Sequence, residues 1–216
     1  MVRNLGEKNS VLNMYISELR DVNIQNDKFR FRKNLERIGE IFAYEISKEL
    51  EYSPEEITTP LGTIEINVLK DNIVLATVLR AGLPLHQGLL NFFDRAQNAF
   101  IGSYRKYHKD NTFEIKSEYI SSPSVEDKFL LLSDPMLASG SSMLLAYKDL
   151  TRESDPKHLH LITVIAAKEG IEYLQDNLHD GKYTIWTGAI DQELTAKSYI
   201  VPGLGDAGDL AYGKKN

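Results

Sequence analysis

Apolar residues in the first fifty positions recur every three or four residues. Leu35, Ile38, Phe42, Ile46 and Leu50 make one stripe, the mark of a helix with a single buried face, and the whole segment reads as helical. Ser53-Pro54 and Thr59-Pro60 then break the pattern, because a residue before proline is pushed out of the helical region. Beyond them the period shortens. Strands are predicted at about Ile64–Leu69, Ile73–Leu79, Ala99–Tyr104, Phe129–Ser133, Leu159–Ala166 and Tyr183–Thr187. Helices are predicted at about Leu83–Ala96, Ser141–Leu150 and Ile171–Leu178. Phe113–Ser121 reads as a polar, exposed strand, one arm of a hairpin that reaches a second subunit. The runs IVLATVL and LHLITVIAA are apolar on both faces, which suits strands covered by helices on each side. The expected fold class is α/β, a mostly parallel sheet flanked by helices. Such sheets bind ligands beyond the carboxyl ends of their strands, and candidate chemistry is sought there.

Composition narrows the function classes. The 216 residues contain no linker or repeat, so residues 1–216 are read as a single domain. Lys and Arg number 25 against 31 Asp and Glu, a net charge of −6 that argues against duplex nucleic acid and anionic membranes as partners. The absence of cysteine excludes disulfides, thiolate metal sites and a cysteine nucleophile, and a cytoplasmic location is the default. The opening MVRNLGEKNS lacks the apolar stretch of a signal peptide. The least charged long window, Phe129–Tyr147, carries Asp134, Pro135, Gly140 and four serines, so it is no lipid-facing helix.

Four stretches at predicted strand ends carry the chemistry. In FLLLSDPMLASGSS a buried strand ends at Asp134 and a helix begins near Ser141. The amides and hydroxyls of Ser139, Gly140, Ser141 and Ser142 gather at that helix N-terminus, where unpaired N–H groups and the helix dipole attract phosphate. The plain alternative is a strand–turn–helix with a serine cap. In VLRAGL, Arg80 stands beside small residues that leave its guanidinium open to an anion, or to a structural carboxylate. In GSYRKYHK, Arg105 follows a strand among other basic residues, as a phosphate contact or a solvated loop. In IVPGLGDAGDLAYG, the GLGDAG core matches a dinucleotide fingerprint, but too few residues follow for its second strand. What remains is a glycine-rich loop with Asp206 and Asp209 beside it. His158 and His160 share a strand face with no third ligand in view, and His86, His108 and His179 stand alone. No Walker loop, H-E-x-x-H motif or protein nucleophile is recognisable.

One phosphate cradle, two arginines, sugar-grade carboxylates and a polar glycine loop suit a sugar bearing phosphate and pyrophosphate, together with a small planar partner. Through VLRAGL, GSYR, DPMLASGSS, Ile190-Asp191-Gln192 and YIVPGLGDAGD, the chain resembles the uracil phosphoribosyltransferases from about Phe29 to Gly213. The last motif is the feature specific to the uracil enzymes. The resemblance implies a type I phosphoribosyltransferase-like fold with a small C-terminal base-binding hood. It implies formation of UMP and pyrophosphate from uracil and 5-phospho-α-D-ribose 1-diphosphate (PRPP), in pyrimidine salvage.

Carried over by residue, the family pattern places Arg80 and Arg105 on the pyrophosphate of PRPP. Asp134 takes the ribose hydroxyls, and Pro135, Met136 and Leu137 belong to the same PRPP segment. Ala138, Ser139, Gly140, Ser141 and Ser142 surround the 5′-phosphate. Ile200, Gly205, Asp206 and Ala207 face uracil. Asp206 also reaches PRPP, and the Mg²⁺ bound with it, through water; Arg80, Arg105 and Asp206 are thus the catalytic candidates. The chain departs from the usual A-T-G-G-S loop with Ala138-Ser139-Gly140-Ser141-Ser142, from G-M-Y-R with Ser103, and from a C-terminal Phe with Tyr212. The family also implies a homodimer or higher oligomer and, in some relatives, a GTP effector. Two other readings keep the fold and change the role. One is a PRPP-sensing, RNA-binding regulator, against which the acidic balance counts; the other is a transferase for a different base.

Overall fold

The computed structural model describes residues 1–70, 72–107, 113–179 and 181–214, with residues 103–107 and 113–118 described by backbone alone. In chain order the elements are β1 (Val2–Asn4), a 3-10 turn (Leu5–Glu7), α1 (Val11–Arg20), α2 (Lys28–Ser47), β2 (Tyr52–Thr59), β3 (Gly62–Leu69), β4 (Ile73–Leu79), α3 (Leu83–Phe92), β5 (Gln97–Tyr107) and β6 (Phe113–Ser121). They continue with β7 (Phe129–Ser133), β8 (Met136–Leu137), α4 (Ser141–Leu150), β9 (His158–Ala167), α5 (Lys168–Asn177), β10 (Tyr183–Asp191), β11 (Glu193–Leu194), β12 (Ile200–Val201) and α6 (Ala207–Tyr212).

The central sheet runs β1-β10-β9-β7-β4-β5-β6, with β8 added beside β9. Its described pairings are parallel except β5 with β6. Residues of β4, β7 and β9 are buried on both sides, as their unbroken apolar runs require. The helices divide between the faces. Leu12, Leu35, Phe42 and Leu89 of α1–α3 pack with Leu75, Leu131 and Ile162 on one face. Met143, Leu144 and Leu174 of α4 and α5 pack with Val74, Leu130 and Leu161 on the other. Because the strands are parallel, β4, β7, β9 and β10 all deliver their carboxyl ends to one rim.

The expected α/β architecture is therefore present, and β4, β7 and α4 have the predicted limits. The N-terminal segment is more divided than its stripe suggests. It opens with an edge strand, then splits into α1, capped by Ser10 (Leu12 N to Ser10 Oγ, 3.2 Å), and α2, capped by Asp27 (Arg30 N to Asp27 Oδ1, 3.0 Å). α3 stops at Phe92 rather than Ala96, because Phe93 leaves helical geometry (φ −103°, ψ 59°). Tyr52–Thr59 is a strand that its two X-Pro pairs conceal. It pairs with β3 alone, and a proline is tolerated in such a ribbon, which has edges on both sides. Phe113–Ser121 is the strand expected, pairing antiparallel with β5 as one arm of a hairpin, and it forms the edge of the central sheet.

Candidate active site

The rim site begins at the end of β7. Ser133 Oγ donates to Ala76 O at 3.1 Å and Thr77 Oγ1 donates to Ser133 O at 3.2 Å, which fixes the ends of β4 and β7 side by side. Asp134 follows. Its N–H donates to Ile162 O at 3.0 Å, and its Oδ1 accepts from Met136 N at 3.2 Å. Burial pushes the Asp134 carboxyl up to about 7, against the opposing effect of the Met136 N–H. The Pro135 carbonyl accepts from Val164 N and Ile165 N, both at 3.1 Å, which ties this loop to β9, and Pro135 is not among the residues lining the cleft.

Gly140 opens α4 in the left-handed region at φ +81°. A Cβ there would sit 2.9 Å from both Gly170 O and Tyr173 Cδ1, so glycine is required on two counts. No side chain caps α4, which leaves the first N–H groups of the helix open to an anion. Ser139 Oγ and Ser141 Oγ lie 2.8 Å apart. Ser139, Gly140 and Ser142 line the cleft, while the Ser141 side chain is not part of its wall.

The opposite wall comes from the far end of the chain. β11 and β12 pair as a short hairpin, Leu194 opposite Ile200, and Asp206 caps α6 by accepting from Asp209 N at 2.9 Å. Ile200, Gly205, Asp206 and Ala207 meet Asp134, Met136, Leu137 and Ala138 across one cleft. Sequence reasoning missed Ala81, Met143, Ser198, Tyr199 and Gly208, which also line it. Only proximity in the fold reveals them.

Arg80 stands at the end of β4, on the border of this cleft. Nη2 lies 3.4 Å from Asp209 Oδ1, and both terminal nitrogens lie 3.4 Å from Gly213 O. Its Nε is buried and has no hydrogen-bond partner among the described residues. The β4–β5 register sets Leu79 opposite Gly102, and β5 runs on past that point, so Arg105 lies within the strand, opposite Ile115 of β6, and not beyond a strand end as expected. The Arg105 side chain lies outside the described residues.

His158 and His160 belong elsewhere. With ring centroids 4.7 Å apart, they sit at the amino end of β9, across the sheet from the cleft. His160 Nδ1 accepts from Trp186 Nε1 at 3.0 Å, and burial lowers its pKa to about 3. Among the described residues, no group of three or more His, Asp or Glu is placed to hold a metal ion. The Asp206 carboxylate is exposed, with one oxygen engaged in its cap. That donor set fits an ion carried by substrate oxygens and reached through water, rather than a protein cage. No helix among the described residues is long and apolar enough to cross a membrane.

A parallel sheet whose strand ends present a partly buried carboxyl, an uncapped helix N-terminus and an arginine, closed by a separate C-terminal hood, is the build of a type I phosphoribosyltransferase. The family model for uracil phosphoribosyltransferase matches residues 7–214. A uracil phosphoribosyltransferase of Porphyromonas gingivalis is 54% identical over 99% of both chains. One from Thermococcus gammatolerans is 38% identical over 92% of this chain and 87% of its own. Among solved structures, the AQ2163 protein of Aquifex aeolicus superposes with a TM-score of 0.87 at 29% identity, over 99% of this chain and 98% of its own. A hypoxanthine phosphoribosyltransferase of Staphylococcus aureus shares the fold at TM-score 0.51 and 14% identity, over 86% and 83%. The chain belongs to the uracil phosphoribosyltransferase family.

Proposed function

We propose that the cleft between the Asp134–Ser142 loop and the Ile200–Gly208 hood runs this family's reaction, in which uracil and PRPP give UMP and pyrophosphate. The observation that carries the reading is that one cleft is lined by both segments, which are 58 positions apart at their nearest ends. The uncapped start of α4 and the Ser139 and Ser142 hydroxyls hold the 5′-phosphate. Asp134 accepts from the ribose hydroxyls. Uracil N1 forms a bond to the anomeric carbon while the bond to the pyrophosphate oxygen breaks; that oxygen keeps the electron pair, the N1 proton passes through water to the departing pyrophosphate, and configuration inverts. Arg80 and Arg105 stabilise the charge gathering on the leaving pyrophosphate. Asp206 would hold, through water, the Mg²⁺ carried by PRPP, an ion that would add to this neutralisation.

The hood reads the base with backbone groups, whose polarity is fixed: N–H donates and C=O accepts. Uracil offers two acceptors around the N3–H donor. Cytosine reverses two of these three positions, leaving buried groups unpaired at about 1–3 kcal/mol each. The test is UMP formation from uracil, PRPP and Mg²⁺, repeated with other bases and with GTP added as a candidate effector. Uracil and small 5-substituted uracils are expected to react, and cytosine to be rejected by roughly 10⁴-fold. Comparable kcat/KM for cytosine overturns the backbone reading; salt-sensitive RNA binding without UMP formation favours the regulator.

A second copy of the chain is the proposed partner of the β2–β3 ribbon. Ile57 faces Ile64 directly, Ile66 lies on the same side, and all three are exposed, while Glu56 opposes Glu65 on the other side. A two-stranded ribbon is marginal alone, and an uncovered isoleucine face on it calls for a cover. Light scattering at micromolar concentration is expected to give a dimer or larger. A monomer refutes the arrangement.

A further inference from the structure

The hood has little regular structure of its own, yet one of its residues is held by both backbone groups. Gly203 N donates to Asp191 Oδ2 at 2.9 Å, and Gly203 O accepts from Arg20 Nη1 at 3.1 Å. Those two side chains are themselves joined in a two-pronged pair: Arg20 Nη1 to Asp191 Oδ2 at 2.8 Å and Nη2 to Oδ1 at 2.9 Å. Asp191 is the last residue of β10, at the carboxyl-end rim, and its side chain is 8% exposed. Arg20 is the last residue of α1, and Gln25 Nε2 donates to the carbonyls of Leu19 and Arg20 at that helix end. Two rigid elements thus converge on one peptide of the loop.

Gly203 lies between Ile200 and Gly205, both of which line the cleft. Its φ of +56°, and the overlap that a Cβ there would have with Ile200 O, fix the bend that sends these neighbours toward the ligand. We propose that Arg20 and Asp191 are positioning residues for base selection, acting through Gly203 to set the backbone polar groups of Ile200–Ala207 against uracil. This rests on the reading that this loop faces the base. Both residues act without touching substrate. Only a guanidinium can grip both carboxylate oxygens while one nitrogen also holds a carbonyl; an ammonium is a point charge without that fork. A hydrogen-bonding site tolerates little displacement, because a small shift leaves donors and acceptors unpaired.

The test is steady-state kinetics of Arg20→Lys, Arg20→Ala and Asp191→Asn in the full-length protein, scaled to the active fraction, with Gly205→Ala as a direct perturbation of the loop. A Cβ at Gly205 meets nothing closer than Leu210 Cδ1 at 3.9 Å, so that variant bends the loop without a collision. Arg20→Ala is expected to raise KM for uracil about 10- to 100-fold and to leave KM for PRPP within about 2-fold. Arg20→Lys, as the conservative variant, and Asp191→Asn fall between it and the wild type, and both narrow the preference for uracil over cytosine. A merely structural pair lowers the melting temperature and active fraction while both KM values stay put, and that result overturns the proposal. If Gly205→Ala raises KM for uracil and the Arg20 and Asp191 variants do not, the positioning role is refuted and the loop reading stands. If none of the four does, the loop reading falls and the positioning role with it. Arg20→Lys keeps the charge that Asp191 needs, so an unfolded Arg20→Ala does not remove the test.

Discussion

Residues 129–150 run strand, loop and helix through one stretch of chain, whereas residues 193–212 contain two two-residue strands and a six-residue helix. Both form walls of one cleft. The Asp134–Ser142 side combines a local motif, a buried strand, a glycine at positive φ and a helix start, with backbone ties to its neighbours β4 and β9. The hood is held from outside. Arg20 and Asp191 grip Gly203, Arg32 Nη1 donates to Ala211 O at 2.7 Å, and Arg80 reaches Asp209 and Gly213. Under the proposed function, a wall built on regular strands and a helix start suits the phosphate, whose charge and shape are the same for every base. A loop with few bonds of its own takes its shape from its surroundings, and base selection then depends on distant residues.

The largest effect expected from a substitution is on the phosphate side. The Asp134 carboxyl titrates near 3.8 in an unfolded chain and near 7 in the folded one, so the folded state binds this proton more tightly. The stability this contributes is complete below about pH 4 and is lost as pH rises through about 7. Asp134→Asn has no ionised form to bury, and its amide oxygen can still accept from Met136 N. It should match the wild type near pH 4 and exceed it by up to about 4 kcal/mol above pH 8 in urea unfolding. No pH-dependent difference means that Asp134 is solvated, and that the phosphate wall carries no internal cost.

Arg80 joins the two walls, and its substitution separates cohesion from catalysis. Its ion pair with Asp209 is about one-third exposed on each side, worth at most ~1 kcal/mol. Arg80→Ala should therefore barely move the melting temperature while lowering kcat/KM for PRPP by about 2–4 kcal/mol of transition-state stabilisation. Unchanged kcat/KM rejects the pyrophosphate role.

A glycine pair sharpens the contrast further. Gly140→Ala and Gly203→Ala each force a side chain into the left-handed region and against a neighbour, at about 1–3 kcal/mol in chemical unfolding. The first should act on KM for PRPP and the second on KM for uracil. If both move the same constant, the walls do not divide the work. The smallest effect belongs to Ser139→Ala, which removes one hydroxyl and its contact with Ser141. It should cost less than about 1 kcal/mol of stability and raise KM for PRPP several-fold.

The sequence by itself determined what depends on neighbours along the chain. The two-sided apolar runs marked β4, β7 and β9, and FLLLSDPMLASGSS carried its strand, its turn and its helix start in one stretch of fourteen letters. Resemblance in five motifs supplied the family as well. Tertiary structure alone decided which residues stand together. Nothing near Arg20 names Asp191, 171 positions away, or Gly203, 183 away. Nothing in the SDPM stretch shows that the Pro135 carbonyl is bonded to Val164 and Ile165 of β9. Local backbone preferences act over one or two turns of chain, so periodicity and caps reveal them. A side-chain pair between α1 and β10 exists only because the sheet order sets β10 beside β9 and packs α1 over that edge, and that order is fixed by the burial of the whole core.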